Sequence, residues 1–376
     1  MSALWIDDPE RLAEFCDSVP EGGIIGLDTE SDHFMAYRPS VALIQVATVD
    51  EAALIDPYAL ETEDLEPFFE LIEEPSIIKI LHSCRNDISE LDRDFGIDVS
   101  NIFDTQIAAR FLNYEKVSLD ALLDVCCGLK ISKKFQRFDW TRRPLPQGPL
   151  DYAAGDVLHL MDLRERLMSE LDEAGWLQPF REQCSYEVGE SGYSHNEFNP
   201  EGFRKLKGAR DLDGRGRAAA RALYVYRHEL CDRIDRMPLH VFENRALLEI
   251  AKKRPTSVEQ LQKIRGLSEQ TKKRNAHDIL RVVAESLEAP IPPERLRSKS
   301  KRPSPEQTDR LKALSDMRAG LGSEIDLPLD LLLNRSTLEY LAAKPEAVDE
   351  LERVPGLLPW QRERFGARLV TVLSSS

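Results

Sequence analysis

The sequence has no cysteine pair in the C-x-x-C pattern, although it contains six cysteines. Zinc sites and disulfide frameworks are therefore not expected, and the cysteines are predicted to be reduced, packed thiols. No apolar run approaches the roughly 20 residues that a membrane span needs. Residues 1–10 carry acidic side chains and no basic segment, which disfavours a signal peptide. These absences predict a cytoplasmic protein that makes no membrane contact.

The chain also lacks an excess of positive charge, since its formal net charge is −16, and this at first argues against a nucleic-acid partner. The distribution of charge changes that interpretation. Residues 1–180 hold 15 Lys and Arg against 36 Asp and Glu, whereas residues 204–302 hold 25 against 13. A basic section is a plausible binding surface for a polyanion, although a set of solvated helix faces would give the same count.

A length of 376 residues indicates two or three domains. The first 110 residues alternate short apolar runs with helical patterns, which predicts an α/β layer around a largely buried sheet. From Ser118 onward helical patterns dominate, and residues 150–171 read as one long helix. We divide the chain into an α/β domain (1–180), a linker (181–203), a basic helical module (204–290), a Pro- and Ser-rich linker (291–307) and a second helical module (308–376).

The two helical modules are copies of one unit. Landmarks of the first recur in the second at a constant offset of 90 positions, as in Pro238 and Pro328, Asn244 and Asn334, and Gly266-Leu267 and Gly356-Leu357. A constant offset across so many positions indicates an internal repeat. The first copy is basic and the second is not.

Asp28 and Glu30 follow the apolar run Ile24–Leu27. Residues i and i+2 of an extended chain point to the same face, so two carboxylates project side by side. Both remain ionised at low cost only if cations lie between them, and hard oxygen ligands suit Mg²⁺ or Mn²⁺. The same D-x-E pattern occurs at Asp8 and at Asp64, where it opens helical stretches and fits a helix-start role.

Three further acids lie in helical patterns. Tyr152 and Asp156 are spaced i, i+4 on a largely apolar helix, which places them on one face. This pair could also be a surface pair at the helix edge. Asp87 is a first-turn acid after a strand-like run. Asp104, at a similar junction, is interpreted as the N-cap of a helix that begins at Thr105.

The segment 130–143 mixes basic and aromatic side chains. This combination suits a single nucleic-acid strand, whose phosphates need charge and whose bases can stack. The predicted substrate contacts are Lys133, Lys134, Arg137, Trp140 and Arg143. The alternative for Trp140 is packing on the α/β core.

The order of these motifs resembles the DEDDy branch of the DEDD 3′–5′ exonucleases. It begins with D-x-E at Asp28, continues with H-x-x-x-x-D ending at Asp87, and ends with Y-x-x-x-D from Tyr152. The segments 39–45, 103–106 and 139–145 also resemble this group, in particular the bacterial ribonuclease D family. The repeated module resembles the HRDC domain, of which that family has two copies.

The resemblance implies a ribonuclease H-like mixed sheet flanked by helices, followed by two HRDC modules. It implies hydrolysis at the RNA 3′ end with two divalent ions, Mg²⁺ or Mn²⁺, held by Asp28, Glu30, Asp87 and Asp156. Tyr152 would hold the attacking water, and nucleoside 5′-monophosphates would be released. The expected substrates are structured RNAs with a single-stranded 3′ end, such as tRNA precursors, and a monomer is favoured.

Two alternatives remain open at this point. The same catalytic residues would serve a DNA 3′–5′ exonuclease of the Werner-like type, although the paired HRDC modules favour ribonuclease D. A non-catalytic binding protein would be expected to have lost a carboxylate, and none is lost.

Overall fold

The computed structural model describes residues 3–33, 36–192, 198–267, 269–294 and 303–375. The chain forms two compact units. One comprises Met1–Ser31, Val41–Tyr193 and Lys301–Ser376, and the other comprises Asp32–Ser40 and Ser194–Ser300. In the described residues, no helix is both long and apolar enough to cross a membrane.

The first unit is built on a six-stranded mixed sheet with the order β1-β4-β3-β2-β5-β6. The strands are β1 (Leu4–Ile6), β2 (Ile24–Ser31), β3 (Val41–Ala47), β4 (Ala52–Ile55), β5 (Ile78–Leu81) and β6 (Ile102–Asp104). β3 runs antiparallel to both β2 and β4, and the remaining neighbours are parallel. β3 and β4 are buried along their whole length because helices cover both faces of the sheet. The predicted α/β fold class is therefore confirmed.

Helices flank this sheet. They are α1 (Pro9–Asp17), α2 (Glu66–Glu73), α3 (Arg85–Phe95), α4 (Thr105–Phe111), α5 (Leu119–Leu122), α6 (Gln147–Leu158), α7 (Leu160–Glu173) and α8 (Leu177–Glu190). The single helix predicted for residues 150–171 is wrong, because the backbone of His159 is non-helical and separates α6 from α7. α8 also makes the first part of the predicted 181–203 linker helical, since its apolar side chains, among them Phe180 and Cys184, are buried.

The second unit contains the first helical module. Its helices are α9 (Gly214–Ile234), α10 (Pro238–Val241), α11 (Asn244–Lys253), α12 (Val258–Gln262) and α13 (Glu269–Glu288). Segment Asp32–Ser40 belongs to this unit. The Tyr37 hydroxyl is 2.6 Å from Nδ1 of His228, Arg38 pairs with Asp232, and Asp235 accepts from two backbone N–H groups of the segment.

The second helical module lies in the same unit as the sheet. Its helices are α14 (Pro305–Ile325), α15 (Leu329–Leu332), α16 (Arg335–Ala343) and α17 (Pro359–Ser374). The repeat is visible in the backbone, since α10 and α15 begin at or next to Pro238 and Pro328, and Gly266 and Gly356 both have positive φ. Only glycine adopts this left-handed conformation readily, which accounts for the repeated glycine.

The second module packs on the α/β layer through an aromatic cluster. The Trp360 ring contacts Phe111 of α4 and Trp176, with centroids 6.0 and 6.1 Å apart, and the Trp360 backbone N–H donates to Glu182 of α8. The Arg364 guanidinium lies 4.4 Å from the centroid of the Trp176 ring. This copy of the repeat therefore uses its surface for intramolecular packing, which is consistent with its lack of positive charge.

We expect Trp360→Leu to lower the free energy of unfolding by about 2 kcal/mol, below the roughly 3–5 kcal/mol typical of truncating a buried aromatic residue to alanine. Trp360 is 3% exposed, so its loss leaves a gap between α17 and α4. Chemical denaturation measures the effect, and Val370→Ala, at a 41% exposed position of the same helix, is the control. Equal stability of the Trp360 variant and the parent would contradict the packing role.

Candidate active site

β2 carries the first two carboxylates of the candidate site. Asp28 and Glu30 lie inside this strand, which continues to Ser31, rather than after it as the sequence suggested. Asp28 is opposite Gln45 and Glu30 is opposite Leu43 on β3. The two carboxylates share one face of the sheet, as the i, i+2 spacing predicts.

Asp87 is held against β2 by hydrogen bonds. It lies in the first turn of α3 and is buried. Its Oδ1 accepts from the Thr29 hydroxyl at 2.6 Å and from the Thr29 backbone N–H at 3.1 Å. Thr29, which lies between Asp28 and Glu30, thus fixes the Asp87 carboxylate beside them.

The fourth carboxylate, Asp156, lies on α6. Asp156 is buried there, and Tyr152 lies one turn earlier on the same face of the helix, near enough to lower the pKa of Asp156. α6 can approach β2 because residue 26 is glycine. A Cβ at Gly26 would stand 3.0 Å from the Val157 carbonyl oxygen. This close contact brings the turn that carries Asp156 against the strand that carries Asp28.

The pKa values show that these four groups are electrostatic neighbours. Burial, followed by the charges of Asp87, Asp156 and Glu30, holds the pKa of Asp28 well above its usual range. Burial, Asp156, Asp87 and Glu90 raise the pKa of Glu30 to about 9. Burial also raises the pKa values of Asp87 and Asp156 to about 7, against the lowering effects of the hydrogen bonds from Thr29 to Asp87 and of the Tyr152 hydroxyl near Asp156. Without cations, the cluster therefore opposes full ionisation.

Glu90 is a fifth carboxylate near the site that the sequence analysis did not single out. It is 6% exposed and lies three residues after Asp87 on α3. Its charge raises the pKa values of both Asp87 and Glu30. The sequence signal that could have identified Glu90 is its i, i+3 spacing from Asp87, because residues with this spacing share one face of a helix.

The donor set fits divalent cations. Carboxylate oxygens are the ligands that Mg²⁺ and Mn²⁺ prefer, and here the charges of the buried Asp87 and Asp156 raise the pKa values of the half-buried Asp28 and Glu30 on a neighbouring element. Among the described residues, no three His, Cys, Asp or Glu side chains are grouped closely enough to hold an ion without rearrangement. Holding ions therefore requires the carboxylates to turn toward one another.

Gln45, in the segment 39–45 that resembles the exonuclease family, is a second residue near the site to which the sequence analysis gave no role. Its side chain is fully buried, and neither its amide oxygen nor its amide nitrogen has a hydrogen-bond partner within the described chain. Directly opposed residues of antiparallel strands share a face, with Cβ atoms about 5 Å apart. The amide thus lies beside Asp28 on the carboxylate face, where it can donate to that carboxylate after a side-chain rotation.

We expect Gln45→Leu to weaken Mn²⁺ binding by about tenfold, because residues that orient ligands typically matter to this extent. The free energy of unfolding without metal should be unchanged or raised by about 1 kcal/mol, since two unpaired buried polar atoms are removed. Calorimetric titration with Mn²⁺ and denaturation in EDTA measure the two effects. Unchanged Mn²⁺ affinity would remove Gln45 from the site.

The predicted RNA-contact segment is more structural than the sequence suggested. Trp140 is 1% exposed, and its ring contacts Phe138 and Tyr152, so it cannot stack on a base. Arg143 donates to both carboxylate oxygens of Asp56 at 2.5 and 2.6 Å and to the Ala42 carbonyl. The predicted substrate contacts at Trp140 and Arg143 therefore disagree with their observed packing.

The other members of that segment keep more exposure. Lys133 pairs with Asp120 at 2.6 Å and remains half exposed, and the Lys134 ammonium lies 5.2 Å from the Phe135 ring centroid. Lys133, Lys134 and Arg137 stay predictions as substrate contacts.

Asp104, the other acid at a strand-to-helix junction, is the N-cap of α4, as predicted, since its side chain accepts from the N–H groups of residues 106 and 107.

The carboxylate cluster on a mixed sheet, with Tyr152 beside it, suits metal-dependent hydrolysis of phosphodiester bonds, the chemistry of a 3′–5′ exonuclease. A family model described as 3′-5′ exonuclease matches residues 3–172, and the HRDC domain model matches residues 217–283 and 307–373. Ribonuclease D of Granulibacter bethesdensis is 31% identical over 373 residues, covering 97% of this chain and 91% of that protein. Ribonuclease D of a Shewanella species is 33% identical over 302 residues, covering 77% and 74%.

A solved structure agrees with these sequence matches. Escherichia coli RNase D, described as an exoribonuclease involved in structured RNA processing, superposes with a TM-score of 0.70 at 25% identity over 100% of this chain and 99% of that one. The chain belongs to the ribonuclease D family. It is a 3′–5′ exoribonuclease, and the DNA exonuclease alternative is not favoured. Exonucleases of this type generally use divalent metal ions.

Proposed function

We propose that this enzyme trims the single-stranded 3′ ends of structured RNAs such as tRNA precursors and releases nucleoside 5′-monophosphates. The observation that carries the proposed site is that the charges of Asp87 and Asp156 raise the pKa values of both Asp28 and Glu30. In this proposal Asp28, Glu30, Asp87 and Asp156 would hold two divalent ions, Mg²⁺ or Mn²⁺, with Asp28 as the carboxylate that the other three surround. When bound, two such ions supply charge stabilisation for the attacking and leaving oxygens.

The chain's own residues set the geometry of the reaction. Thr29 fixes Asp87 by two hydrogen bonds, so this carboxylate has little freedom once ions are held. Burial and the charges of Asp156, Glu30 and Asp28 raise the pKa of Tyr152 above its ordinary value. The phenol therefore keeps its proton and acts as a hydrogen-bond donor. In this role Tyr152 orients the attacking water and does not remove its proton.

In this proposal, catalysis and RNA binding are assigned to parts of the chain that differ in charge. Residues 1–180 hold the acidic catalytic site, which repels RNA unless cations are present. The first HRDC module (204–290), between the linkers 181–203 and 291–307, carries positive charge for RNA phosphates. The packing of Trp360 supports a structural role for the second module (308–376). A cytoplasmic location and a monomeric state remain predictions from the sequence.

The assay that tests this proposal uses internally labelled RNA with a single-stranded 3′ end, and DNA of the same sequence. We expect stepwise shortening from the 3′ end with 5′-monophosphate products in Mg²⁺ or Mn²⁺, and none in EDTA. A pre-tRNA with a 3′ extension should be trimmed and should stop at the stem. Activity that survives EDTA, or faster loss of DNA than of RNA, would contradict the proposal.

Tyr152→Phe is expected to lower kcat by about 10²-fold, the cost typical of misplacing a reacting group, while the affinity for Mn²⁺ stays the same. The reason is that the phenol orients water and is assigned no metal. Single-turnover kinetics and Mn²⁺ titration separate the two effects. Tyr114→Phe is the matched control, since the Tyr114 hydroxyl donates to Glu170 outside the site. Equal kcat values for both variants would argue against the orienting role.

A further inference from the structure

A cavity of about 710 Å³ opens on the first unit, away from the carboxylates. Its walls come from the N-terminal end of β5, the segment before β6, α7 and α8. The β2–β5 register places Ile78 level with Ile24, so Asp28 lies four residues, or about 13 Å, further along the strands. Neither the four carboxylates nor Tyr152 lines the cavity.

Two arginines face this cavity, Arg164 of α7 and Arg181 of α8. Nε of Arg164 is buried and has no hydrogen-bond partner among the described residues. Its guanidinium lies 5.4 Å from the Phe103 ring centroid. Burial lowers the pKa of Arg164, Glu165 partly offsets this, and the nearby charge of Arg181 lowers it further. The Arg164 side chain is half-buried, but its buried, unpaired Nε beside a second guanidinium is costly, and an anion between the two groups would satisfy both.

The rest of the lining is mainly apolar. The accessible apolar surface comes from Ile78, Met168 and Val188, which are half-buried, whereas Phe103 and Phe180 are buried and pack against each other with ring centroids 4.7 Å apart. The volume lies within the roughly 300–1,000 Å³ range of small-molecule sites. Asp98 adds one carboxylate at an exposed position of the rim, which disfavours ligands with negative charge spread over their whole length. The lining therefore suits a compact ligand with an anionic end and a flat apolar body.

We propose that this cavity is a second nucleotide site that binds a nucleoside 5′-monophosphate, with the phosphate between Arg164 and Arg181 and the base over the apolar wall. The anion site rests on the two arginines alone. The choice of a nucleoside monophosphate rests on the proposed function, which makes this molecule the released product. Guanidinium groups match phosphate geometry by paired hydrogen bonds, whereas the apolar wall offers nothing to phosphate alone.

Equilibrium dialysis of labelled AMP against the full-length Asp28→Asn protein in EDTA tests the site, because metal-dependent binding at the carboxylates is then removed. We expect one saturable site per chain. Arg181→Gln and Arg164→Gln should each weaken AMP binding by about tenfold or more, a factor that corresponds to about 1.4 kcal/mol. Arg166→Gln is the matched control, because Arg166 lies on the same helix and pairs with Glu170.

Inorganic phosphate and adenosine, each as a competitor, distinguish the two halves of the ligand. Both should displace AMP, and each should bind more weakly than AMP. Phosphate that binds as tightly as AMP would overturn the nucleotide assignment. Absence of saturable binding, or equal binding by the Arg181 variant and the parent, would overturn the site itself. Arg181 is exposed, so its variant remains informative even if Arg164→Gln fails to fold. Dialysis requires no catalysis, so its result is independent of whether the nuclease assay succeeds.

Discussion

Asp28→Asn is expected to lower kcat/KM on RNA by at least about 10³-fold without loss of the fold. Asp28 has the other three carboxylates around it, and all three raise its pKa. It is therefore the carboxylate expected to contribute most to holding divalent cations. Asparagine keeps the shape but cannot carry the charge, and the loss of several kcal/mol of transition-state stabilisation corresponds to this factor.

The control for this variant is Asp64→Asn. Asp64 also begins a D-x-E pattern, but its side chain accepts from the Glu61 backbone N–H at the start of a helical turn. This substitution should leave kcat/KM unchanged. Circular dichroism and melting curves establish that both variants are folded. An Asp28→Asn protein that keeps a tenth or more of the parent's activity would contradict the central role of Asp28 in the metal site.

The strand pattern allowed Asp28 and Glu30 to be placed on one face, because side-chain alternation is a local property of an extended chain. Their proximity to Asp87 and Asp156 is not local. It depends on the Thr29 hydrogen bonds and on the approach of α6 to Gly26, contacts between residues more than 50 positions apart. Motif order in a known family indicated the grouping, and no spacing rule within this sequence would have done so.

Trp140 and Arg143 show why composition alone is a poor guide to substrate contacts in the segment 130–143. Basic and aromatic residues in alternation are typical of nucleic-acid contacts, but the same residue types also build packed corners. Arg143 is held by Asp56, 87 residues earlier, and Trp140 lies under the site helix α6. The sequence pattern does not show that Asp56 pairs with Arg143 or that Trp140 packs against α6. The exposed fraction of each side chain, which separates the two uses, is set by the tertiary fold.

The two helical modules are the opposite case, because the sequence predicted their fold but not the role of the second copy. The 90-residue repeat predicted two copies of one fold, and the helices and the positive-φ glycines agree with it. The loss of positive charge in the second copy indicated a different role without identifying it. That role became visible only through the contact of Trp360 with Phe111 and Trp176, since a buried aromatic residue at the start of a helix is equally expected in the module's own core.

In EDTA, the melting temperature is expected to fall by on the order of 5 °C or more as pH rises from about 5 to about 9. The folded-state pKa values of Asp87 and Asp156 are about 7 and that of Glu30 is about 9, all raised chiefly by burial. In the unfolded chain these groups lose their protons near pH 4. Between the two values the folded state binds more protons, so each rise in pH favours unfolding.

Divalent ions should reverse the sign of this dependence at the site. They favour the ionised carboxylates, so in Mn²⁺ the melting temperature should stay level or rise over the same pH range as binding becomes stronger. Asp28→Asn removes one charge from the cluster and should flatten the fall seen in EDTA. Parallel melting curves in EDTA and Mn²⁺ across this range would show that the carboxylates hold no ion. The cluster that limits the stability of the metal-free chain at neutral pH is thus the same one that we assign to metal binding and catalysis.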